Sequence, residues 1–467
     1  MKHIKKVLFP FIFILPFILG IIGFLIEGEG LLDAAYYSFA LYAVNPLYED
    51  KNILIEITRW LAPAVVASGL LVFVKEISQR IKDFFVCVKK DSFALYGDDN
   101  DISVLKNCLP NTVISKDNSI KDSANHIILF KDDTESFKFF NENQKDFNGK
   151  NIYIKSDNIE MFKNDSDKFK ILNFNEIIAR NYWVEHHLIN YFANGRKEIQ
   201  IAIVGFDGIA QRILDYAILN NIYSLDQNIT YHIWGDSELY ACVHSDLSLM
   251  NNDKIIYHSD DWQSNIELIS KTDRIIFTLT PDTGSLMMLA DKCADSEIHC
   301  YNLDKNILDI IGNPRIQSFG QSSEVFTKEN ILLTDIYHSA KCLNFEYACL
   351  YGQAKASDGD AKIEAEWKEL DAFTKNSNIC AANYHLIRKI ITENITLTAS
   401  ELAEMEHIRW CRFHFLHHWK EGTTENGKKD SINKIHPCLV PFDELSEPNK
   451  QKDFEAIEVL NKVFAKY

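Results

Sequence analysis

The chain has 467 residues, of which 46% are hydrophobic and 25% are charged, so it is folded over most of its length and too long for one domain. Its 66 acidic residues outnumber its 49 basic ones and give a net charge of −17. Because duplex binding depends on Lys and Arg neutralising phosphates, this balance argues against nucleic acid as a partner. The ten cysteines include no C-x-x-C pair, which is typical of reduced thiols in a cytosolic protein body.

An apolar segment near the N-terminus predicts a membrane span. Val7–Ile26 contains no charged residue, and as a helix it would cover about 30 Å, the thickness of the hydrocarbon core. A cleavable signal peptide is the alternative, since Lys2, Lys5 and Lys6 precede the segment. However, no small-x-small cleavage site follows, and the apolar run exceeds the usual ~7–15 residues.

A second apolar segment, Leu54–Val74, predicts a return span, with an uncharged core at Trp60–Val74. Lysines and arginines follow it, whereas the connection between the two segments is mainly acidic. Positive charge on both outer flanks places both termini in the cytoplasm. We therefore expect residues 1–85 to form a two-pass α-hairpin in the inner (plasma) membrane, with membrane lipid as a partner.

The connection Ala34–Tyr48 is uncharged and rich in tyrosine, but it is too short to cross a bilayer. It is interpreted either as a re-entrant helix or as an interfacial aromatic helix. The letters LLDAAYYSF resemble the start of the pore helix in two-helix cation channels, which makes Tyr42 and Asn45 the pore-like residues. No T-V-G-Y-G sequence follows, so potassium selectivity is not supported.

Beyond the hairpin, short strand and helix patterns alternate, which indicates parallel α/β units. The first unit, 86–195, begins with the strand Phe93–Tyr96 and ends in a helical connector, Asn175–Phe192. The turn after its first strand, Gly97–Asp101, has one glycine and three aspartates. Such a turn repels a phosphate, so we expect a degenerate Rossmann-like unit without a nucleotide.

The second unit, 196–332, has the strand Ile199–Val204, a glycine turn and a helix. The predicted nucleotide-binding residues are Gly205, Asp207, Gly208 and Asp236. The spacing is G-x-x-G and not G-x-G-x-x-G, so the motif is a weak one. With these glycines, residues from about 90 to 320 resemble the Trk/RCK class, in which nucleotide-binding Rossmann domains regulate potassium transport. The resemblance implies regulation and not redox turnover.

Residues 333–467 carry the most specific pattern. Its landmarks include Glu401–Trp410, the sequence His418-Trp-Lys-Glu-Gly and the sequence His436-Pro-Cys-Leu-Val-Pro. This series resembles the ryanodine receptor repeat (RyR) domain, and the stretch Glu401–Trp419 reads as a helix. Tryptophans beside charged groups suit a base or ribose ligand, although the same side chains could be core residues. The predicted pocket residues are Trp367, Asn378, Glu406, His407, Arg409, Trp410, Trp419 and His436.

No catalytic or metal motif is recognised. His407, His414, His417 and His418 are close in sequence, but no H-E-x-x-H and no suitably spaced cysteines accompany them. G-x-S-x-G and P-loop sequences are also missing. We therefore predict no metal and no catalytic residue, and thus a chain that is not an enzyme. A nucleotide is the one ligand that the sequence suggests in place of a cofactor.

The predicted fold class is a membrane α-hairpin followed by α/β Rossmann-like units and a C-terminal, mostly α RyR domain. The predicted function is a ligand-responsive, ion-channel-like membrane protein or membrane effector that senses a nucleotide-type small molecule. We expect a homo-oligomer, because two helices cannot enclose a pore, and a tetramer is the favoured assembly. A membrane-anchored scaffold and an NAD(P)-binding oxidoreductase-like protein are the alternatives. Ion homeostasis and a stress or antiphage role both stay open.

Overall fold

The computed structural model describes residues 2–44, 52–156, 168–332, 334–355, 357–424 and 427–466, and only the backbone of residues 2–13, 334 and 466. The chain forms two compact units, Met1–Lys89 and Lys90–Tyr467. The described part of the N-terminal unit is helical, whereas that of the second unit contains two large parallel sheets, a two-stranded sheet and a helical module.

The N-terminal unit consists of α1 (Lys2–Ile26), α2 (Leu31–Ala40), a 3₁₀ turn (Leu41–Ala43) and α3 (Ile53–Cys87). Glycines on α1 allow the other helices to approach closely. A Cβ on Gly20 would lie 2.7 Å from the Ser38 hydroxyl oxygen, and one on Gly23 would lie 2.8 Å from Cγ1 of Ile55. Small residues at helix contacts are typical of membrane helices.

One helix among the described residues is long and apolar enough to cross a membrane, α3, and a shorter apolar stretch covers Ile14–Ile26 of α1. The apolar part of α3 is mostly exposed, unlike the central helix of a soluble core. The short connecting helix α2 packs along α1. Of the two pore-like residues, Tyr42 packs at the edge of the cluster around Phe24, while Asn45 lies outside the described residues.

The first sheet of the second unit is all parallel, with strand order β2-β1-β3-β4-β5. This order, 2-1-3-4-5, is that of doubly wound nucleotide-binding folds. Its elements are β1 (Phe93–Gly97), α4 (Asp101–Cys108), β2 (Thr112–Ile114), β3 (Asn125–Leu129), α5 (Asp133–Glu142), β4 (Asn151–Lys155) and β5 (Lys170–Leu172).

A connector, α6 (Phe174–Glu185) and α7 (Ile189–Ala193), leads to the second sheet. Its strand order is β11-β10-β9-β6-β7-β8, again all parallel. Numbered from its own first strand, this is the 3-2-1-4-5-6 order of dinucleotide-binding Rossmann folds. The prediction of Rossmann-like parallel sheets is confirmed. The strands are β6 (Glu198–Val204), β7 (Asn228–Trp234), β8 (Lys254–His258), β9 (Arg274–Phe277), β10 (Glu297–Tyr301) and β11 (Ile316–Phe319).

The helices of this half are α8 (Gly208–Asn220), α9 (Glu238–Val243), α10 (Ile266–Ile269), α11 (Thr283–Lys292), α12 (Lys305–Ile311), α13 (Ser322–Val325) and α14 (Lys328–Leu332). Further 3₁₀ and strand elements are short: Trp262–Asn265, Phe442–Glu444 and the two-residue strands β12 (Lys420–Glu421) and β13 (Ile435–His436). The C-terminal module contains α15 (Thr334–Leu350), α16 (Gly359–Lys368), α17 (Ala372–Asn394), α18 (Ala399–Leu416) and α19 (Glu447–Lys466).

Helix α18 begins at a capping box, because the Thr398 side chain bonds the backbone N–H of Glu401 and the Glu401 side chain bonds that of Thr398. The helix ends at Leu416, three residues before the predicted end, and His418 then adopts a φ of +63°.

A buried arginine joins α18 to the second sheet. Arg412 donates to the carbonyl oxygens of Leu249 (2.7 Å) and Ile218 (2.9 Å). It also donates to the side chains of Asn251 (2.8 Å) and Asp253 (2.7 Å). The helical module is therefore attached to the second Rossmann-like sheet by a buried, charge-assisted network.

Candidate functional site

A cavity of about 400 Å³ lies in the C-terminal module among α15, α17, α18 and α19. Each helix supplies residues at spacings of three, four or seven, which face the same side of a helix. The lining residues are Asn344, Tyr347 and Tyr351; Thr374, Ser377, Asn378 and Ala381; Glu406, His407, Arg409 and Trp410; His436, Cys438 and Leu445; and Asn449, Lys452, Asp453 and Ala456.

A buried ion pair forms one wall of the cavity. Arg409 donates through Nε and Nη2 to the Glu406 carboxylate at 2.7–3.1 Å, and through Nη1 to Sγ of Cys380 at 3.3 Å. Burial acts to lower the pKa of Arg409, but the Glu406 carboxylate outweighs it, and the pKa lies above its ordinary value. Both charges are therefore held in place, and the carboxylate keeps acceptor sites that Arg409 does not occupy.

A histidine and an aspartate form a second fixed pair. Nε2 of His407 lies 2.9 Å from the Val440 carbonyl oxygen, and its Nδ1 lies 3.2 Å from Oδ2 of Asp453. Since a carbonyl oxygen only accepts, Nε2 carries a hydrogen and donates. Burial raises the pKa of Asp453, against the opposing effect of His407. A hydrogen bond between Nδ1 of His407 and Oδ2 of Asp453 therefore needs one proton, which is carried either by the imidazole ring or by the carboxyl group.

Trp410 provides the aromatic wall, surrounded by histidine rings. The centroid of its ring lies 4.0 Å from that of the His414 ring and 4.9 Å from that of the His436 ring. It also stacks on the His407 ring, with the centroids 5.9 Å apart. Burial lowers the pKa of His414 to about 3 and that of His436 to about 4. These two rings are therefore neutral near pH 7 and add no positive charge beside the indole.

Neutral polar groups from α15 and α17 also line the cavity. Asn378 donates through Nδ2 to the Thr374 carbonyl oxygen at 3.1 Å, which fixes the orientation of its amide. Burial raises the pKa of the Tyr347 hydroxyl, so it remains a neutral hydrogen-bonding group. Lys452 is exposed at the cavity. The interior can therefore accept and donate hydrogen bonds beside an aromatic face, with a cation available on the solvent side.

The structure brings most of the predicted pocket residues together. Asn378, Glu406, His407, Arg409, Trp410 and His436 line the cavity. The other two predicted residues are core residues instead. Trp367 packs in a cluster with Leu343 and Val459, and Trp419 packs in a cluster with Cys411 and Leu439.

Sequence reasoning missed the contribution of the first and last helices of the module. Asn344 and Tyr347 come from α15, and Asn449 and Asp453 come from α19. The available signal was a polar stripe at helical spacing on α19, including Lys452. Such a stripe does not show which other helix its polar face packs against.

The predicted nucleotide-binding residues of the second sheet lie together at the carboxyl edge of β6 and β7. Gly205, with a φ of +88°, follows β6, and a Cβ there would lie 2.7 Å from Oγ1 of Thr278. Asp236 is exposed, and its neighbour Gly235 approaches the Phe206 backbone, where a Cβ would lie 2.5 Å from the amide nitrogen. The glycines of these turns therefore accommodate neighbouring protein atoms.

The start of α8 is also contacted by protein groups. The Asp207 side chain caps the helix by accepting from the Ala210 N–H at 3.0 Å. A Cβ on Gly208 would lie 2.8 Å from Nδ2 of Asn175. A phosphate at this helix start would have to compete with the Asp207 carboxylate for the same N–H groups.

Two aspartates in the turn of the first sheet have an internal counter-charge. Lys155 at the end of β4 donates to Asp99 at 2.8 Å and to Asp101 at 3.0 Å. The acidic turn is therefore held by an internal cation at the edge where a phosphate lies in nucleotide-binding relatives of this fold.

Comparison with known families gives a match in the C-terminal part of the chain. Residues 383–467 match the RyR domain family. This part of the chain contains the C-terminal half of α17 together with α18 and α19, and thus Glu406, Trp410 and Asp453 of the cavity. Residues Asn344 to Ala381 of the cavity lie outside the match. The predicted resemblance to the RyR domain is confirmed for these residues, whereas that to the Trk/RCK class stays a prediction.

No curated protein matches the chain. Among solved structures, a dipicolinate synthase subunit from Bacillus halodurans is similar at 8% sequence identity, covering 53% of this chain and 98% of that one, with a TM-score of 0.21. This finding contradicts the prediction that the chain is not an enzyme, and that prediction is withdrawn. A likeness at this TM-score supports no particular reaction, substrate or cofactor.

Proposed function

We propose that the protein is a membrane-anchored receptor whose C-terminal cavity binds a nucleotide-type small molecule. The observation that carries the proposal is that Trp410, Glu406 and Asn378 line one cavity, which thus combines an aromatic face with a carboxylate held by Arg409 and an amide held by the Thr374 carbonyl oxygen. Flat, polar bases are recognised in this way, by stacking and by hydrogen bonds at their edges.

The charges of the cavity indicate how such a ligand would be oriented. Glu406 can accept hydrogen bonds from an amino group or a ribose hydroxyl, and the Asn378 amide can pair with a base edge. The Glu406 charge is compensated by Arg409, so the described residues inside the cavity offer an anionic group no unpaired cation, and Asp453 would repel it when ionised. We therefore expect the base to enter first and any phosphate to remain on the solvent side, near Lys452.

The membrane part of the proposal is a two-pass hairpin with both termini in the cytoplasm. The exposed apolar surface of α3 and the apolar stretch of α1 support it, together with the positive flanks of both segments. A ligand can shift the hairpin between two arrangements only by its difference in affinity for them. The proposed outcome is a ligand-responsive, channel-like conductance or a membrane effector.

Ligand binding is tested with full-length protein in lipid nanodiscs, by thermal shift and calorimetry against mono-, di- and cyclic nucleotides. We expect Trp410→Ala to weaken binding by about tenfold to a hundredfold, because base stacking contributes about 1–3 kcal/mol. Ile432→Ala, at an exposed side chain of the same module, is the control and should bind as wild type does. Equal binding by both variants would place the ligand elsewhere.

A dinucleotide at the second sheet is the other candidate, because the 3-2-1-4-5-6 strand order creates a crevice at the carboxyl ends of its strands. Asp236→Ala separates the two candidates, since Asp236 is exposed and can be replaced without disturbing the core. If this variant loses the response and Trp410→Ala keeps it, the ligand binds at the second sheet. If no nucleotide stabilises the protein, the scaffold interpretation is favoured.

Conduction is tested separately, by ion flux from liposomes that contain the full-length protein, with and without the nucleotide that stabilises it. We expect the nucleotide to change the flux of wild type and not that of Trp410→Ala. No flux under either condition would contradict a channel-like activity while leaving ligand binding untouched.

A further inference from the structure

Helix α3 is longer than a membrane requires. Its 35 residues span about 52 Å, whereas the hydrocarbon core is about 30 Å thick. Residues 53–74 suffice to cross that core, so the segment 75–87 continues about 20 Å beyond it as the same helix. This segment begins with Lys75 and Glu76 and contains a charged or polar residue in every turn up to Asp83.

An apolar row continues along this extension. Its members are Leu70, Val74, Ile77, Ile81, Phe84 and Val88. The steps between them are alternately four and three residues, the heptad spacing at which helices wind around one another. The side chains of the row are between 41% and 64% exposed. Within the described chain, the row is therefore not covered by other protein groups over most of its surface.

Two pairs of polar side chains on the extension bond within their own helix. Arg80 donates to Glu76 at 3.0 Å, and Gln79 donates to Asp83 at 2.7 Å. The other charged side chains of the segment, Lys75 and Lys82, are exposed to solvent. The apolar row cannot be satisfied within its own helix in this way, because its side chains leave water only by packing against another surface.

A second copy of this chain fits the row better than lipid or an unrelated protein. Membrane insertion gives all copies the same direction and the same depth, so Ile77 and Ile81 of one copy lie at the height of those of its neighbour. Parallel helices in register are what a heptad row requires. Lipid cannot cover the row beyond the headgroups, since the extension continues the axis of the spanning segment.

We propose that residues 70–88 form a parallel coiled coil with the same segment of other copies of the chain. This inference rests on the membrane placement in the proposed function, and not on ligand binding. The row starts at Leu70 inside the apolar segment and ends at Val88, two residues before the second compact unit begins at Lys90. The coiled coil would therefore join the membrane helices to the cytoplasmic units of the assembly.

The test is disulfide cross-linking of full-length protein in native membrane vesicles, without nucleotide, in a Cys87→Ser background. In a parallel coiled coil, Ile81→Cys places two Cα atoms within reach of a disulfide, whereas Lys82→Cys places them too far apart. We expect about fivefold more cross-linked dimer for Ile81→Cys than for Lys82→Cys. Equal yields at the two positions, or no dimer at either, would overturn the proposal.

A second measurement does not depend on cross-linking. Ile77→Asp combined with Ile81→Asp should reduce the mass of the detergent-solubilised particle to that of a smaller assembly, while Gln79→Asp on the polar face should not. An unchanged mass for the double variant would also overturn the proposal. Nucleotide binding by the variants, measured in parallel, reports on the cavity and separates a failure of the coiled coil from a failure of the receptor proposal.

Discussion

The Arg412 network allows a sharp prediction about how the helical module is attached. Arg412→Met removes hydrogen bonds to two carbonyl oxygens and to Asn251 and Asp253, all in a site where the arginine is 0% exposed. Asp253 keeps its bonds from Gln227 and from the Ile229 N–H, but it loses its buried counter-charge. Breaking such a pair costs about 3–5 kcal/mol.

The expected shift in Tm follows from the size of the unit. At about 2.1 cal/mol/K per residue, the unfolding entropy of the second unit is on the order of 0.8 kcal/mol/K, so 3–5 kcal/mol lowers Tm by about 4–6 °C. Differential scanning fluorimetry of ligand-free, full-length protein measures it. Arg196→Met is the control, because Arg196 is exposed and its ion pair with Asp273 contributes about 0–1 kcal/mol.

Removing the unpaired charge of Asp253 should recover part of the lost stability. Arg412→Met combined with Asp253→Asn is expected to be more stable than Arg412→Met alone, since no unpaired carboxylate is left buried. The reasoning is refuted if Arg412→Met lowers Tm no more than Arg196→Met does. It is also refuted if the second substitution simply adds its own destabilisation.

Three further predictions concern stability. Burial lowers the pKa of His414 to about 3, below its unfolded value of about 6.5, so its contribution to the stability of the fold is fully present above pH 6.5 and is lost as pH falls toward 3. His414→Asn should therefore flatten the dependence of Tm on pH in that window, and an unchanged slope would contradict this. Gly97→Ala should destabilise the first sheet far more than Gly149→Ala, because both have positive φ but only at Gly97 would a Cβ meet backbone, 2.0 Å from the Leu129 oxygen; equal values of Tm would show that the sheet can relax. Lys155→Met should lower Tm by leaving Asp99 and Asp101 without their cation, and Asp101→Asn in that background should restore part of it, whereas a further fall would argue against charge repulsion at this turn.

The sequence by itself determined the features that depend on local pattern. Alternating apolar runs indicated the parallel sheets, because a strand buried on both faces must be apolar along its length. The helical spacing of Glu406 and Trp410 predicted that both side chains would face the same way, and both line the cavity. The long apolar helix α3 was likewise readable from composition alone.

Only the tertiary structure decided which side chains meet across elements. The sequence treated Trp367 and Trp419 as equivalent to Trp410, but helix packing buries the first two in separate clusters. Asp453 joins His407 over a long stretch of chain, and Lys155 reaches an acidic turn that seemed unpaired when read locally. Periodicity specifies the face on which a residue lies, whereas the packing of helices and sheets determines what that face contacts.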